Sequence, residues 1–376
     1  MARRTFSAEP HAPKYQQVFE SLSKDILSGK YQPGQKFPSE AALVQQFGTS
    51  RITIGRALRD LAQRGLVDRI AGSGTYVRQT RTAESSLLFG LLIPDLGRTE
   101  IFEPICRGIA AAPQPSRHAL LWGHTSPDET PLEEQALQLC SQYIERRVSG
   151  VFFAPIETGT RVQETNLKVI SQLERARIPV VLLDRCVMPY PQRSDHDLVG
   201  IDNRRAGYMA TEHLLKLGGR RISFVAYSAG APTIEARIAG FREALLANGV
   251  ALDRGGVCRL DAITEASVRQ LMGNKKDGAF VCANDRTAGQ LMQVLLALGY
   301  RIPKDVRIVG IDDVEYASLL TVPLTTVHQP CRAIGEAAMA AMLDRVERPN
   351  MFVRDILVEC RLVIRESCGH RHQRRP

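Results

Sequence analysis

Between Phe37 and Leu61 the apolar positions recur at helical spacing in two short bursts separated by a glycine. Ala42, Leu43 and Phe47 share one face of the first burst; Ile54, Leu58 and Leu61 share one face of the second. Ser39 is placed to cap the first helix with Glu40 in its first turn, Gly48 supplies the turn, and Ser50 is placed to cap the second helix. The second pattern leaves Arg51, Thr53, Arg56 and Arg59 off its apolar face. Short strands over 65–70 and 75–77, around Ala71-Gly72-Ser73-Gly74, predict a hairpin after it. The pattern predicts a winged helix-turn-helix, a unit that puts its second helix into the DNA major groove.

From Leu87 onward the pattern changes to buried runs alternating with amphipathic stretches. Apolar runs over 88–94, 119–122, 150–155, 180–184 and 198–202 form one series, and runs over 222–226, 278–283, 306–312 and 325–329 a second. Helical stretches over 205–217, 234–248 and 286–298 interleave with them. Strands without polar alternation belong to parallel sheets covered on both faces. The fold class is therefore α/β with an N-terminal winged helix-turn-helix: two α/β lobes in series, and a ligand cleft between the carboxyl ends of their strands. The expected limits are a DNA-binding domain over 12–78, a linker over 79–86, a two-lobed domain over 87–366 and a disordered basic tail over 367–376.

Charge supports this division. The 376 residues carry a net charge of +9, but residues 1–80 hold twelve Lys and Arg against six acids and residues 365–376 four against one, leaving the middle neutral. A basic balance gathered on a small domain is the footprint of a polyanion partner. Arg51, Thr53 and Arg56 are expected to read bases, with Ser39, Gly74 and Tyr76 nearer phosphate and Ser50 at the helix start beside them.

Other classes find little support. No apolar run reaches the roughly 18 residues of a spanning helix, and the start lacks the apolar core of a signal peptide, so a cytoplasmic protein is expected. The eight cysteines include no Cys-x-x-Cys pair, which favours reduced core residues over a metal or disulfide framework. No P-loop, no Gly-x-Ser-x-Gly elbow and no His-Glu-x-x-His occurs, and the histidines share no ligand spacing. Neither a cofactor nor a metal is expected, and regulation is favoured over catalysis.

Residues 14–77 resemble the DNA-binding domain of GntR-type bacterial transcription regulators. The likeness lies in Ile26-Leu-Ser-Gly-Lys-Tyr-Gln-Pro-Gly34, Phe37-Pro-Ser-Glu40, Ser50-Arg51, Gly65-Leu-Val67 and Gly72-Ser-Gly-Thr75. Gly200-Ile-Asp-Asn-Arg-Arg-Ala-Gly207, Glu235-Ala-Arg-Ile-Ala-Gly-Phe241, Ala283-Asn-Asp285, Pro303-Lys-Asp-Val-Arg-Ile-Val-Gly-Ile-Asp-Asp313 and Pro323-Leu-Thr-Thr-Val-His-Gln329 are similar to the effector domain of LacI/GalR-type repressors, itself similar to periplasmic sugar-binding proteins. The chain lacks that family's hinge helix, so its coupling to DNA does not carry over. The combination resembles bacterial arabinose-type repressors.

The resemblance implies a homodimeric repressor that binds operator DNA under control of a small ligand, most naturally a sugar. It implies ligand contacts at Arg237, Asn284 or Asp285, Asp312 and Gln329, with Asp184 and Arg185 at another strand end. Such residues suit a polyhydroxylated ligand, because a guanidinium supplies paired donors and carboxylates accept from hydroxyls. Asp184 and Asp312 could instead be helix caps, Arg237 a surface ion pair, and Phe102 either ligand cover or core. The alternative for the whole chain is a sugar-binding protein or sugar-modifying enzyme with an incidental basic head.

Overall fold

The computed structural model describes residues 13–32, 34–70, 73–77, 87–94, 96, 100–112, 118–123, 130–157, 159–219, 221–251, 256–273 and 278–370. They divide into two compact units at Ser86/Leu87. The expected linker, the wing residues Ala71 and Gly72, and the last six residues lie outside the described set.

The first unit has three helices, α1 (Lys14–Leu27), α2 (Glu40–Phe47) and α3 (Arg51–Gln63). An antiparallel hairpin of β1 (Val67–Ile70) and β2 (Gly74–Val77) follows, with Val67 opposite Val77. Ser39 Oγ accepts from the Ala42 amide and Ser50 Oγ from the Thr53 amide, each at 3.2 Å, so both caps form. Gly48, at φ 60°, ends α2 in the left-handed region that lets α3 turn away. Ile54, Leu58 and Leu61 are fully buried against Val18, Leu22 and Leu43. Each of the three contributes about 1.5–3 kcal/mol by leaving water.

The second unit holds two six-stranded sheets. Lobe one carries β3 (Leu87–Leu92), α4 (Phe102–Ala111), β4 (His118–Trp122), α5 (Leu132–Glu145), β5 (Gly150–Phe153), α6 (Val162–Arg175), β6 (Val180–Leu183) and β7 (Asp197–Gly200). Lobe two carries α7 (Asn203–Lys216), β8 (Ile222–Tyr227), α8 (Pro232–Ala247), β9 (Val257–Leu260), α9 (Glu265–Met272), β10 (Gly278–Cys282), α10 (Asp285–Ala297), β11 (Val306–Asp312) and β12 (Thr325–His328). Then α11 (Cys331–Glu347) and β13 (Asp355–Leu357) return to lobe one, and β14 (Arg361–Val363) ends in lobe two. The sheet orders are β4-β3-β5-β6-β7-β13 and β9-β8-β10-β11-β12-β14; all pairings are parallel except β12 with β14.

The lobes are thus not simply in series, and the return of the chain has identifiable causes. A Cβ on Gly335 of α11 would lie 2.1 Å from the Ile105 carbonyl oxygen of α4, and one on Gly108 would lie 2.2 Å from that of Arg332. Only glycine lets these two helices approach so closely. Gly207 and Gly240 do the same for α7 and α8, with 2.0 Å to the Arg237 oxygen and 1.8 Å to the Arg204 oxygen. Asp197 on β7, fully buried, accepts from Arg345 Nη2 at 2.7 Å and Arg354 Nη2 at 3.0 Å, pinning α11 and the approach to β13.

The expected tail needs a correction. Ser367 and Cys368 are fully buried; Ser367 Oγ accepts from the Thr325 amide at 2.9 Å and donates to the Ile308 carbonyl at 2.6 Å. These bonds tie two strands of lobe two together, so ordered structure extends to His370. Sequence reading stopped short because a polar Arg-Glu-Ser run shows no apolar periodicity.

Two glycines should respond oppositely to alanine. Gly240→Ala drives a methyl group into the Arg204 backbone and should lower stability by about 3 kcal/mol. Gly55→Ala, in a helix with nothing within 4 Å of the new Cβ, should raise it by about 0.5–1 kcal/mol. Urea unfolding of the two variants beside the parent chain checks both signs.

Candidate functional site

Both sheets have the doubly wound order in which ligands bind beyond the carboxyl ends of the strands. A cavity of about 310 Å³ lies there, lined from lobe one by the segments after β3, β5 and β6 and from lobe two by those after β8, β10 and β11. That volume is at the lower end of small-molecule sites.

Arg237 of α8 is the centre of the lobe-two wall. It is 4% exposed, and its guanidinium donates to Asn203 Oδ1 at 2.8 Å, the Ala283 carbonyl at 2.6 Å and Asp312 Oδ1 at 3.1 Å. The surface-ion-pair alternative is therefore excluded by burial. Asp312 and Asp184 occupy matching places at the ends of β11 and β6, the fourth strands of their lobes, and both have positive φ, 123° and 67°. Neither is a cap of a described helix. A non-glycine residue held in that region costs of order 1–3 kcal/mol, and such strain gathers at functional sites.

The lobe-one wall is built around Arg185, which is 4% exposed. Its guanidinium meets Glu157, lies 3.3 Å from Asp184 Oδ2, and sits over the Phe102 ring at 5.4 Å. Asp184 Oδ1 is buried without a hydrogen-bond partner among the described residues, and so are both side-chain polar atoms of Gln329. A buried polar atom left in this state costs about 1–3 kcal/mol, and for Asp184, which lines the cavity, it is a place for an arriving donor.

Two expected ligand residues have other duties. Phe102 is fully buried at the start of α4 and supports Arg185 from the core, so it is not ligand cover. Asp285 is also fully buried; its carboxylate accepts from Thr326 Oγ1 at 2.6 Å and the Val314 amide at 3.0 Å. The first residue of α10 points into lobe two, and the preceding Asn284, which caps the helix through Thr287, lines the cavity instead. Gln329 is buried where the chain crosses from β12 to α11 and does not border the cavity. Sequence reading missed Glu157, Asn203 as an acceptor for Arg237, and the paired Tyr227 and Gln290 on the lobe-two rim. It also missed Glu100, which accepts from Tyr316 Oη of lobe two at 3.3 Å. Strand-end position was the available signal for Glu157.

On the winged helix, the expected DNA residues fall into groups. Arg51 Nε donates to Glu40 Oε2 at 3.2 Å while Arg69 Nη2 donates to Glu40 Oε1 at 2.7 Å, so one carboxylate joins α2, α3 and β1. Arg69 was not singled out from sequence. Arg56 lies 3.8 Å above the Tyr15 ring, drawn toward α1. Thr53 Oγ1 is 2.8 Å from Ser50 Oγ, and Ser39 and Ser50 both serve as caps. Gly74 has φ 125° beside Lys36, and Tyr76 Oη pairs with Ser73 Oγ at 2.8 Å.

Burial above all pushes the Asp312 carboxyl up, to about 7; nearby Asp285 and Asp184 add to this and Arg237 opposes it. Burial likewise pushes Asp285 up to about 6. The folded chain holds these protons more tightly than the unfolded chain, so their stabilisation is complete below pH 4 and is lost as pH rises through about 6–7. His213 acts oppositely: burial first, then His370 and Lys216, push it down to about 4, so its contribution grows with pH over that window. A difference measurement separates the two. The melting temperature of the parent chain minus that of Asp312→Asn should fall steadily between pH 4 and 7.5; a flat difference would refute the assignment.

Residues 14–77 match the bacterial regulatory proteins of the gntR family, and residues 211–368 match the periplasmic binding protein-like domain. The arabinose metabolism transcriptional repressor of Geobacillus stearothermophilus is 27% identical over 370 residues, covering 96% of this chain and 98% of its own. The repressor of the same name from Halalkalibacterium halodurans is 26% identical over 94% of this chain and 96% of its own. A LacI family transcriptional regulator from Enterococcus faecium, solved with bound ribose, superposes with a TM-score of 0.60 at 23% identity, over 74% of this chain and 98% of that one. Fold, both domain matches and nearly full-length relatives agree that this chain is a transcription regulator combining a gntR-family helix-turn-helix with a periplasmic binding protein-like domain.

Proposed function

We propose that the protein is a sugar-responsive repressor in which a DNA-binding domain (12–78) is joined through 79–86 to an effector domain (87–370). The observation that carries the sugar reading is the cavity wall. Asp184 presents an unpartnered buried oxygen, and the Arg237–Asp312 pair presents donors and acceptors in a fixed plane. Hydroxyls of a sugar can donate to the carboxylates and accept from the guanidinium at once. The name of the Geobacillus relative, which covers nearly the whole chain, and the ribose bound to the Enterococcus regulator support this class.

The helix-turn-helix supplies the second half. Arg51, Thr53 and Arg56 face bases, and Ser39, Ser50, Gly74 and Tyr76 flank the phosphates. Lys36 and Arg69 add positive charge beside the wing. One such domain buries little surface on DNA, so two copies on a palindromic operator are the natural arrangement. No described helix is long and apolar enough to cross a membrane, and a regulator of this kind works where the DNA is.

The two halves should separate by mutation. A screen of pentoses and hexoses should raise the melting temperature of the parent chain with at least one sugar. Asp184→Asn and Arg237→Lys should each weaken that sugar about 10- to 100-fold, the loss of a hydrogen bond to a charged group, with duplex DNA binding retained. Arg51→Ala should keep the thermal response, weaken duplex binding by about 1–3 kcal/mol and relax the preference for one base pair. Full sugar affinity in both cleft variants would overturn the cleft assignment.

A further inference from the structure

Ile52 is 83% exposed, and among the described residues of the winged-helix domain it is the one large apolar side chain left in water. Single exposed apolar residues are common on surfaces, so position decides the meaning. Ile52 is the second residue of α3, in the turn whose side chains reach base edges when the second helix of a helix-turn-helix lies in the major groove. Its neighbours are restrained. Arg51 is drawn to Glu40, Thr53 Oγ1 is tied to Ser50 Oγ, and Arg56, one helical turn on along the same face, is stacked on Tyr15. Arg51 and Arg56 are exposed as well, so the start of α3 presents an apolar group set between two arginines that are already engaged by Glu40 and Tyr15.

The major groove offers such a group one kind of partner, the 5-methyl of thymine. A β-branched side chain on a helix is stiff at its first torsion, so its methyls are ordered before contact and little freedom is lost on docking. We propose that Ile52 is a specificity-determining residue that packs on the 5-methyl group of one thymine per half-site and selects an A·T pair there. The inference rests on the proposed placement of α3 in the groove and adds an apolar contact to a surface otherwise read through polar groups.

Selection of duplexes from a randomised library by the full chain provides the binding site. Each of its thymines is then replaced singly by deoxyuridine, which removes only the methyl group. One thymine per half-site should prove sensitive, with about fourfold weaker binding by the parent chain, the effect of losing one methyl-sized contact. Ile52→Ala should bind the thymine duplex about as weakly as the parent chain binds the deoxyuridine duplex, and should not distinguish the two. Ile52→Val should keep the discrimination. Because the side chain is exposed, the melting temperature of Ile52→Ala should match the parent, which separates this outcome from misfolding. A selected site with no sensitive thymine, or equal sensitivity in Ile52→Ala, overturns the role of Ile52 while leaving the groove placement intact. Failure to enrich any sequence overturns both.

Discussion

The buried guanidinium of Arg237 is the contact on which the ligand cleft depends. It reaches the start of α7 through Asn203, the end of β10 through the Ala283 carbonyl and the end of β11 through Asp312, so one planar group ties two cavity-lining strand ends to α7. A charge that deep is tolerable only when paired and fully hydrogen-bonded. Removing Arg237 leaves Asn203 Oδ1, the Ala283 carbonyl and Asp312 Oδ1 without their donor, each at a cost of about 1–3 kcal/mol. The glycine pairs that let α7 meet α8 and α4 meet α11 set the stage for it, because they fix the helices on which the wall is built.

The two lobes repeat one plan, and the cleft inherits that symmetry. Asp184 and Asp312 end equivalent strands in strained backbone, one facing Arg185 and the other Arg237. Opposed acid–arginine pairs from two lobes suit a ligand with hydroxyls on both sides. Glu100 and Tyr316 meet across the cleft mouth, so a change in lobe separation must break or make that contact. A ligand can alter DNA affinity only through its differential affinity for such states.

Much of this was legible from residue pattern. Helical spacing and two serine caps located α2 and α3, and continuous apolar runs located the central strands of both sheets. The family resemblance, not the pattern, singled out Asp184, Arg185, Arg237, Asn284 and Asp312, and the structure has them lining the cavity. The return of α11 and β13 to lobe one was not legible, since periodicity shows which face of a helix is buried but not against what; the answer lay in Gly108 and Gly335, far apart in sequence. Edge strands of three residues, such as β14, carry too short a pattern to read. Whether Phe102 was core or ligand cover, and whether Asn284 or Asp285 met the cavity, could not be decided from pattern, because position in a sequence does not give a side chain's direction; Gln329, expected at the cavity, does not line it. The structure points Phe102 and Asp285 into the core.

The central claim is that occupancy of the cleft controls the grip on DNA. The direct measurement is fluorescence anisotropy of a library-selected duplex titrated with the full chain, with and without a saturating amount of the sugar that most raises the melting temperature. The account predicts a shift in apparent Kd of at least about fivefold, the lower range of allosteric coupling. An unchanged Kd with the cleft saturated would contradict it, leaving a sugar-binding domain and a DNA-binding domain without communication.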